Sequence, residues 1–469
     1  MTNRKSTKRA LLGSIMAMVL CLAMLVGATF AWFTDTASTG VNKIQAGKLD
    51  VALEMKDAAG QWVSAEGKTL NWVKAAAGEQ VLWEPGCTYT LPELRVINNG
   101  NLALKYKVTI TGINGSAKLN EAIEWTIGDV AMGAEQHLKA GESNEFTIKG
   151  HMKESAGNEY MNESIDGIAI TVAATQDTVE NDSLGNTYDK DAKYPIVAMD
   201  TLQELINNAT EPVSAKLEGN IAGSLTVPQG KDVTLDLNGF TLTGGDSHAI
   251  LNHGKLCIKD SSGNGKIVAS KANTSALRNA AVCVIDGGTF TRAAGVDNKW
   301  HTVENFGNMT FNGGKVIAED GQSFAIVNGW NYIDPGEQKA TMTINNIEMK
   351  AGPNGLKNCA GGTLTMNGGT LHCTGYWGLS NDSTGVATIN GGEIISDNYV
   401  AISNGGAKME INGGTFTGPQ GSLYVQNYAH DTVVKGGSYQ NETVEFMRNY
   451  CADGYTATLK GDMVVVSKD

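Results

Sequence analysis

The sequence predicts an all-β protein in two parts, an antiparallel sandwich followed by a parallel β-helix. Three observations carry this expectation. Glycine supplies 57 of the 469 residues and proline only 8, so tight turns are frequent while the φ-locking residue is scarce. Short runs rich in Val, Ile and Thr alternate apolar with polar residues, the period of a half-buried strand. In the C-terminal half, Asn and Gly-Gly recur at intervals in the low twenties, the period of a solenoid. The hydrophobic share of 41%, with 8 Trp and 13 Tyr, excludes a disordered linker protein. The net charge of −13 argues against nucleic acid as a partner, because an acidic surface repels phosphate.

Taken in chain order, the first element is a leader. Arg4, Lys5, Lys8 and Arg9 precede an uncharged run from Ala10 to Phe33, the layout of a secretory signal. Thr29 and Ala31 suit the −3 and −1 positions of a cut before Trp32, giving a signal peptide over 1–31. The run is also long enough to span a bilayer, so an uncleaved anchor is the alternative. Beyond the leader stand Cys87, Cys257, Cys283, Cys359, Cys373 and Cys451. An exported chain permits disulfides among them, and burial as small hydrophobes is the alternative. No spacing matches a zinc signature.

Residues 32–178 form the first domain. Lys48 to Glu54, Leu94 to Ile97, Leu104 to Ile110, Glu145 to Ile148 and Ile165 to Val172 alternate with period two. Asn99-Gly100 and Asn114-Gly115 break them, as turns between antiparallel strands do. The segment 119–130 is expected to form a short helix.

Several motifs in order carry a resemblance. The leader ends Thr-Phe-Ala, followed by Trp32-Phe-Thr-Asp35 and Ala46-Gly-Lys-Leu-Asp-Val51. Glu84-Pro-Gly86, the stretch from Leu94 to Leu104, and Ile168 to Gln176 complete the set. Residues 1–178 thereby resemble the TasA/camelysin family of exported Gram-positive proteins. The resemblance implies a jelly-roll sandwich, a dedicated signal peptidase and secretion into a biofilm matrix. It also implies fibres built by inserting the mature N-terminal segment into the next subunit, here Trp32 and Phe33 through Val41. Strand addition to an open sheet edge is the physical basis; pairing within the same domain is the alternative. Camelysin-type members are described as metalloproteases. This chain has no H-E-x-x-H helix, and His137 and His151 stand in unlike contexts, so no metal site and no cofactor are expected.

An acidic stretch from Asp177 to Tyr194 reads as an exposed connection, with the linker assigned to 179–196. Asp200 to Ala209 is expected to be helical, capped by Asp200 or Thr201 with Glu204 completing a capping box. Its apolar face is Leu202, Leu205 and Ile206, and it would cap the N-terminal end of a β-helix over 197–469.

The repeat has two columns. Asn312, Asn367, Asn390 and Asn412 each precede Gly-Gly, with Asn345 a degenerate copy. Upstream stand Asn252, Asn279, Asn305, Asn328, Asn358, Asn381, Asn404 and Asn427. Leucine-rich repeats need several Leu at fixed offsets, which are missing. In a parallel β-helix each coil rises by about 4.8 Å, so equivalent Asn side chains stack and bond to one another. Gly supplies the positive φ of the corner. At least nine coils are expected, a rod of about 45 Å, with the tail from Tyr450 to Val466 folding over the far end. At the level of fold and repeat, this part resembles the pectate-lyase-like right-handed β-helix superfamily.

No complete catalytic constellation is legible. Asp297, Glu319, Asp320, Asp334 and Asp382 fall in different coils at irregular offsets, and His248, His253 and His301 read as surface or turn residues. Trp300, Phe324, Trp377 and Tyr399 fall four or five residues before the upstream Asn column, with Tyr376 beside Trp377, and the insertion at 329–336 adds Trp330 and Tyr332. They form either an exposed strip that stacks on sugar rings or an aromatic stack in the core. The expected function is a non-catalytic secreted matrix or cell-surface protein. Its partners would be further copies or related matrix proteins and polysaccharide, with no nucleic acid. A polysaccharide lyase or glycoside hydrolase on the β-helix is the alternative.

Overall fold

The computed structural model describes residues 47–68, 70–73, 81–111, 114–115, 119, 121–128, 133–163, 165–166, 169–178, 192–296, 299–319, 323–329, 339–382, 384–426 and 431–469. The leader and the donor segment with Trp32, Phe33 and Val41 lie outside the described residues, as do Trp330 and Tyr332.

The N-terminal part is built of antiparallel sheets. One sheet pairs Trp62–Ser64, Val51–Lys56, Leu94–Asn98 and Ser143–Phe146 in that order. Another pairs Ala169–Gln176, Leu104–Thr111 and Gln136–Leu138. A third joins Thr88–Thr90, Ile148–Met152 and Ile123–Ile127. Alternation drives the packing: Leu94, Val96, Leu104, Tyr106 and Ile148 bury their side chains in a shared core. At the turn after Leu94–Asn98, the buried Asn98 amide donates to the Leu102 carbonyl at 2.8 Å and accepts from the Gly100 N–H at 2.9 Å. Gly100 is required there, because a Cβ would lie 2.2 Å from the Lys48 carbonyl oxygen.

The helix expected over 119–130 is corrected in its greater part. Ile123–Ile127 is a strand, with Ile123 and Ile127 buried and Glu124 and Thr126 exposed. Its period-two pattern, satisfied by pairing with Ile148–Met152, overrides the local helical reading.

The C-terminal part is a parallel solenoid of about nine turns. Each coil contributes three short strands, one to each of three faces. The first face runs from Val213–Lys216 to Thr432–Val434, the second from Ile221–Ala222 to Gly437–Gln440, and the third from Leu225–Val227 to Leu423–Val425. Every strand pairs in parallel with its equivalent one coil on, so like residues stack. Ile250, Leu277, Val303, Ile326, Leu356 and Leu379 form one fully buried apolar column. Core aromatics come from other columns: Phe290, Phe311, Phe416 and Tyr439.

Two asparagine columns run along the solenoid, one buried and one exposed. At the corner after the third face, the Asn252 Nδ2 donates to the Asn279 Oδ1 at 2.7 Å. The relay continues through Asn305, Asn328, Asn358, Asn381 and Asn404 at 2.7–2.8 Å, and every member is 0% exposed. It ends on the Thr432 hydroxyl at 2.8 Å. The second column lies at the corner after the first face and runs the other way. Asn412 donates to Asn390, then to Asn367, Asn345 and Asn312, each at 2.8 Å, and Asn312 donates to Asp286. A carboxylate suits that last place, since it only accepts. Gly314, Gly369, Gly392 and Gly414, two residues after their Asn, hold φ between +89° and +119°, which a side chain would strain.

The place after Asn404 in the buried column is taken by Val425, where the sequence spacing puts Asn427. Asn404 pairs with Val425, and Leu423 takes the apolar place of Ile402. The last coil is shorter at this arc, and Asn427 lies outside the described residues.

Both ends are covered. Helix α1 (Met199–Asn208) packs Met199, Leu202 and Ile206 onto the first coil. It starts one residue before Asp200, its N-cap is Ala198, and no side chain caps it. The capping box is therefore corrected. Asp200 sits inside the first turn, where its charge favours the helix dipole, and Glu204 faces Lys107 of the first domain at 3.9 Å. At the far end, helix α2 (Val444–Arg448) buries Met447, and the hairpin Tyr455–Lys460 and Met463–Lys468 adds antiparallel strands to the second face. The connection is also tied down at its described ends. Asp177 is 4% exposed and bonds the His137 ring at 2.5 Å, and the Tyr194 hydroxyl donates to Glu135 at 2.7 Å. Asp177 is thus a buried hydrogen-bond partner of His137 and not part of an exposed linker.

Cys87, Cys257, Cys283, Cys373 and Cys451 are free thiols. Cys283, Cys359 and Cys373 are buried, and burial pushes every one of these thiols above its ordinary pKa.

Candidate functional site

The third face differs from the other two. The turns that flank it vary most in length, and its outward column reads Arg278, Glu304, Val327, Lys357, Ser380, Ser403 and Tyr424 in register. A residue that points away from the core of a solenoid is ordinarily wet. Here Glu304, Val327, Ser380 and Ser403 are at most 3% exposed. A second layer of side chains therefore lies over this face, and aromatic residues of the preceding turns belong to it.

The sequence-selected aromatics fall into two groups. Trp300 sits beside His301 with ring centroids 5.6 Å apart, and His301 faces Phe324 at 6.5 Å. Two coils further on, Tyr376, Trp377 and Tyr399 are mutual neighbours at 5.8–5.9 Å. Neither group belongs to the solenoid core. Tyr376 is 55% exposed, and Trp300, Trp377 and Tyr399 are half-buried.

Around Trp300 lies a polar cluster that sequence reasoning missed. The Glu304 carboxylate accepts from the Ser275 hydroxyl at 2.7 Å and from Arg278 at 3.5 Å, and the His248 ring is 3.8 Å away. Burial raises the Glu304 pKa, opposed by Arg278, Ser275 and the nearby Trp300 indole. His248 Nδ1 accepts the Ser275 backbone N–H at 2.9 Å, and His301 Nδ1 pairs with the Ser323 hydroxyl at 2.9 Å. Burial lowers both histidines to about 4. Both lie on turns, as one of the two readings of the sequence has it, but His301 is buried and His248 half-buried, so neither is a surface histidine. The available signal was the register, since Ser275, Arg278 and Glu304 meet only once coil stacks on coil.

The cluster does not have the geometry of a nucleophilic triad: the Ser275 hydroxyl is spent on Glu304, and His248 on a backbone amide. Asp382 lies three coils from Glu304, on the order of 14 Å at strand spacing, beyond the separation that paired glycosidase carboxylates need. Asp382 instead pairs with Lys357 at 2.9 Å. Glu319 is exposed, and Asp297, Asp320 and Asp334 lie outside the described residues.

Residues 6–59 match the family model of the camelysin metallo-endopeptidase, a narrower span than the motifs over 1–178. No curated protein and no solved structure matches the chain. The family's description implies a metal, and the described residues do not fit one. His137 is taken by Asp177, and His151 by the Thr88 hydroxyl at 2.8 Å on a different sheet. Among the described residues no three His, Cys, Asp or Glu side chains converge to hold an ion. No helix among them is long and apolar enough to cross a membrane.

Proposed function

We propose that this is a secreted, non-catalytic matrix or cell-surface protein, in which a jelly-roll-type TasA-like sandwich assembles the chain and a right-handed solenoid is displayed for adhesion or glycan contact. The observation that carries the reading is the unbroken buried asparagine relay from Asn252 to Asn404. It joins seven coils vertically, the cohesion that a rod built for display requires. The camelysin match over residues 6–59 supports the assembly half. So does a cavity of about 210 Å³ in the sandwich, lined by Tyr106, Val108, Ile127, Gln136, Asn144 and Phe146. It opens between Gln136–Leu138 and Ser143–Phe146, each the last strand of its sheet among the described residues. Two end strands over a gap of mixed polar and apolar lining can take an inserted strand, and Trp32 to Val41 would supply it. Electron microscopy of secreted, processed protein tests this: filaments are expected, and deletion of residues 32–41 should abolish them. A chain that stays monomeric at every concentration with that segment free removes the assembly role.

One observation favours an enzyme as the second reading. Glu304 is a buried carboxyl with a raised pKa, as a general acid requires. That reading predicts new reducing or unsaturated ends from a polysaccharide, lost in Glu304→Gln.

A further inference from the structure

We infer that Tyr376, Trp377 and Tyr399 form a binding subsite for the C–H face of a neutral hexose or N-acetylhexosamine unit within an oligosaccharide. The inference rests on the display role above and names its ligand class.

Exposure comes first. Tyr376 is a large ring left 55% exposed on a solenoid whose core has room for aromatics elsewhere. Its neighbours do not close over it. Tyr376 meets Tyr399 at 73°, and Trp377 meets Tyr399 at 80°. Edge-to-face contact holds the three rings as a corner, and the 55% of Tyr376 left exposed is the surface open to the apolar side of a pyranose.

The corner is also held in advance. The Ser396 hydroxyl donates to the Tyr376 carbonyl at 2.6 Å and accepts the Tyr399 N–H at 3.0 Å, tying two coils together. The Tyr376 N–H is fixed on the Pro353 carbonyl at 2.6 Å, and the Asn398 amide on the Thr374 carbonyl at 2.5 Å. A site so fixed loses little freedom on binding.

Polar capacity at the same place is unspent. Trp377 Nε1 and Ser403 Oγ are both buried and both without a hydrogen-bond partner. Ser403 is 0% exposed and stacks in register on Ser380, three residues after Trp377. Most buried polar atoms in proteins are paired, so these two unpaired groups, one on Trp377 itself and one on the strand that follows Tyr399, are the polar capacity left over in this part of the third face. Electrostatics then select among sugars. The nearby floor cation, Lys357, is neutralised by Asp382 at 2.9 Å, and the chain carries −13 overall. With Lys357 paired to Asp382, uronates and sulfated glycans gain little from it, and the acidic chain repels them at long range.

The test titrates the full secreted chain with chitohexaose, cellohexaose and mannohexaose, with polygalacturonate as the charged comparison, by calorimetry and tryptophan fluorescence. At least one neutral oligomer should bind and polygalacturonate should not. Tyr376→Ala should weaken binding by about tenfold or more with an unchanged melting temperature, because its ring is mostly in water. Ser403→Ala should weaken it a few-fold without lowering stability, because its hydroxyl has no partner to lose. No binding of any neutral oligomer, equal affinity in Tyr376→Ala, or preference for polygalacturonate overturns the inference. Filaments are scored separately: filaments without sugar binding reject this subsite alone, and sugar binding without filaments rejects only the assembly role.

Discussion

Asn358 shows what a single side chain does in this fold. Its Nδ2 donates to Asn381 at 2.8 Å, to the Val386 carbonyl at 3.0 Å and to the Gly362 carbonyl at 3.2 Å, while its Oδ1 accepts from Asn328 at 2.7 Å. Asn358→Ala removes these and leaves buried carbonyls and an amide unpaired, a loss of about 3 kcal/mol or more. Asn390, in the exposed column, can hand its bonds to water, so Asn390→Ala should cost about 1 kcal/mol or less. Thermal melts of the two variants should differ clearly, and equal losses would refute the distinction. The buried histidines set a pH dependence. His248 and His301 stay neutral in the fold down to about pH 4, whereas in the unfolded chain they protonate near their ordinary pKa of about 6.5. Between those values the unfolded chain binds more protons, so stability is lost as pH falls through the window. Glu304 acts in the opposite sense, since its raised pKa makes the fold lose stability as pH rises through the carboxylate range. The melting temperature should therefore drop from pH 6.5 to pH 5, and His248→Gln with His301→Gln should flatten the slope. Parallel curves for the two proteins would show that these rings are not the cause.

At the scale of elements, the problem is the open end of a sheet. The third face begins at Leu225–Val227, and α1 closes it with one side chain. The Gln203 amide donates to the Thr226 carbonyl and accepts the Thr226 N–H, both at 2.8 Å, imitating the strand that is not there. At the other end the Glu442 carboxylate accepts the N–H groups of Ser422 and Leu423 at 2.7 and 2.9 Å. Gln203→Ala should cost about 1–3 kcal/mol. Ile206→Asp should do more, since it lifts α1 from the first coil and leaves a parallel edge bare. Size-exclusion chromatography with light scattering should then show oligomers or aggregate, and a clean monomer would mean that α1 is not the guard of that edge.

At the scale of the molecule, a solenoid is held coil to coil, so its middle has two neighbours and its ends have one plus a cap. Amide hydrogen exchange should be slowest in the central coils, around Asn305 to Ile411, and should quicken toward Val213 and Val434. Uniform protection along the rod would argue for all-or-none unfolding instead. This geometry also fixes what the molecule can present. Turns can lengthen on either side of the third face without disturbing the stacked strands, which is why aromatics and buried charges gather there and not on the flat first face.

Much of this was legible from residue types alone. Alternation marks Leu94 to Asn98 and Leu104 to Thr111 as strands, and the spacing of Asn279, Asn305, Asn328 and Asn358 marks a stacked corner, because both patterns are repeats that one physical cause imposes along the chain. The helix expected over 119–130 survives only at its start, around Leu119 and Glu121, because cross-strand pairing outweighed local propensity at Ile123–Ile127. The capping box failed because docking Met199 onto the first coil moved the start of α1. Periodicity reports what recurs, and the site does not recur. Ser275, Arg278 and Glu304 come together, and Tyr376 meets Tyr399, only when one coil settles on the next. Local sequence therefore determined the strands and the ladders, and tertiary stacking decided which side chains share the third face and which of them water can reach.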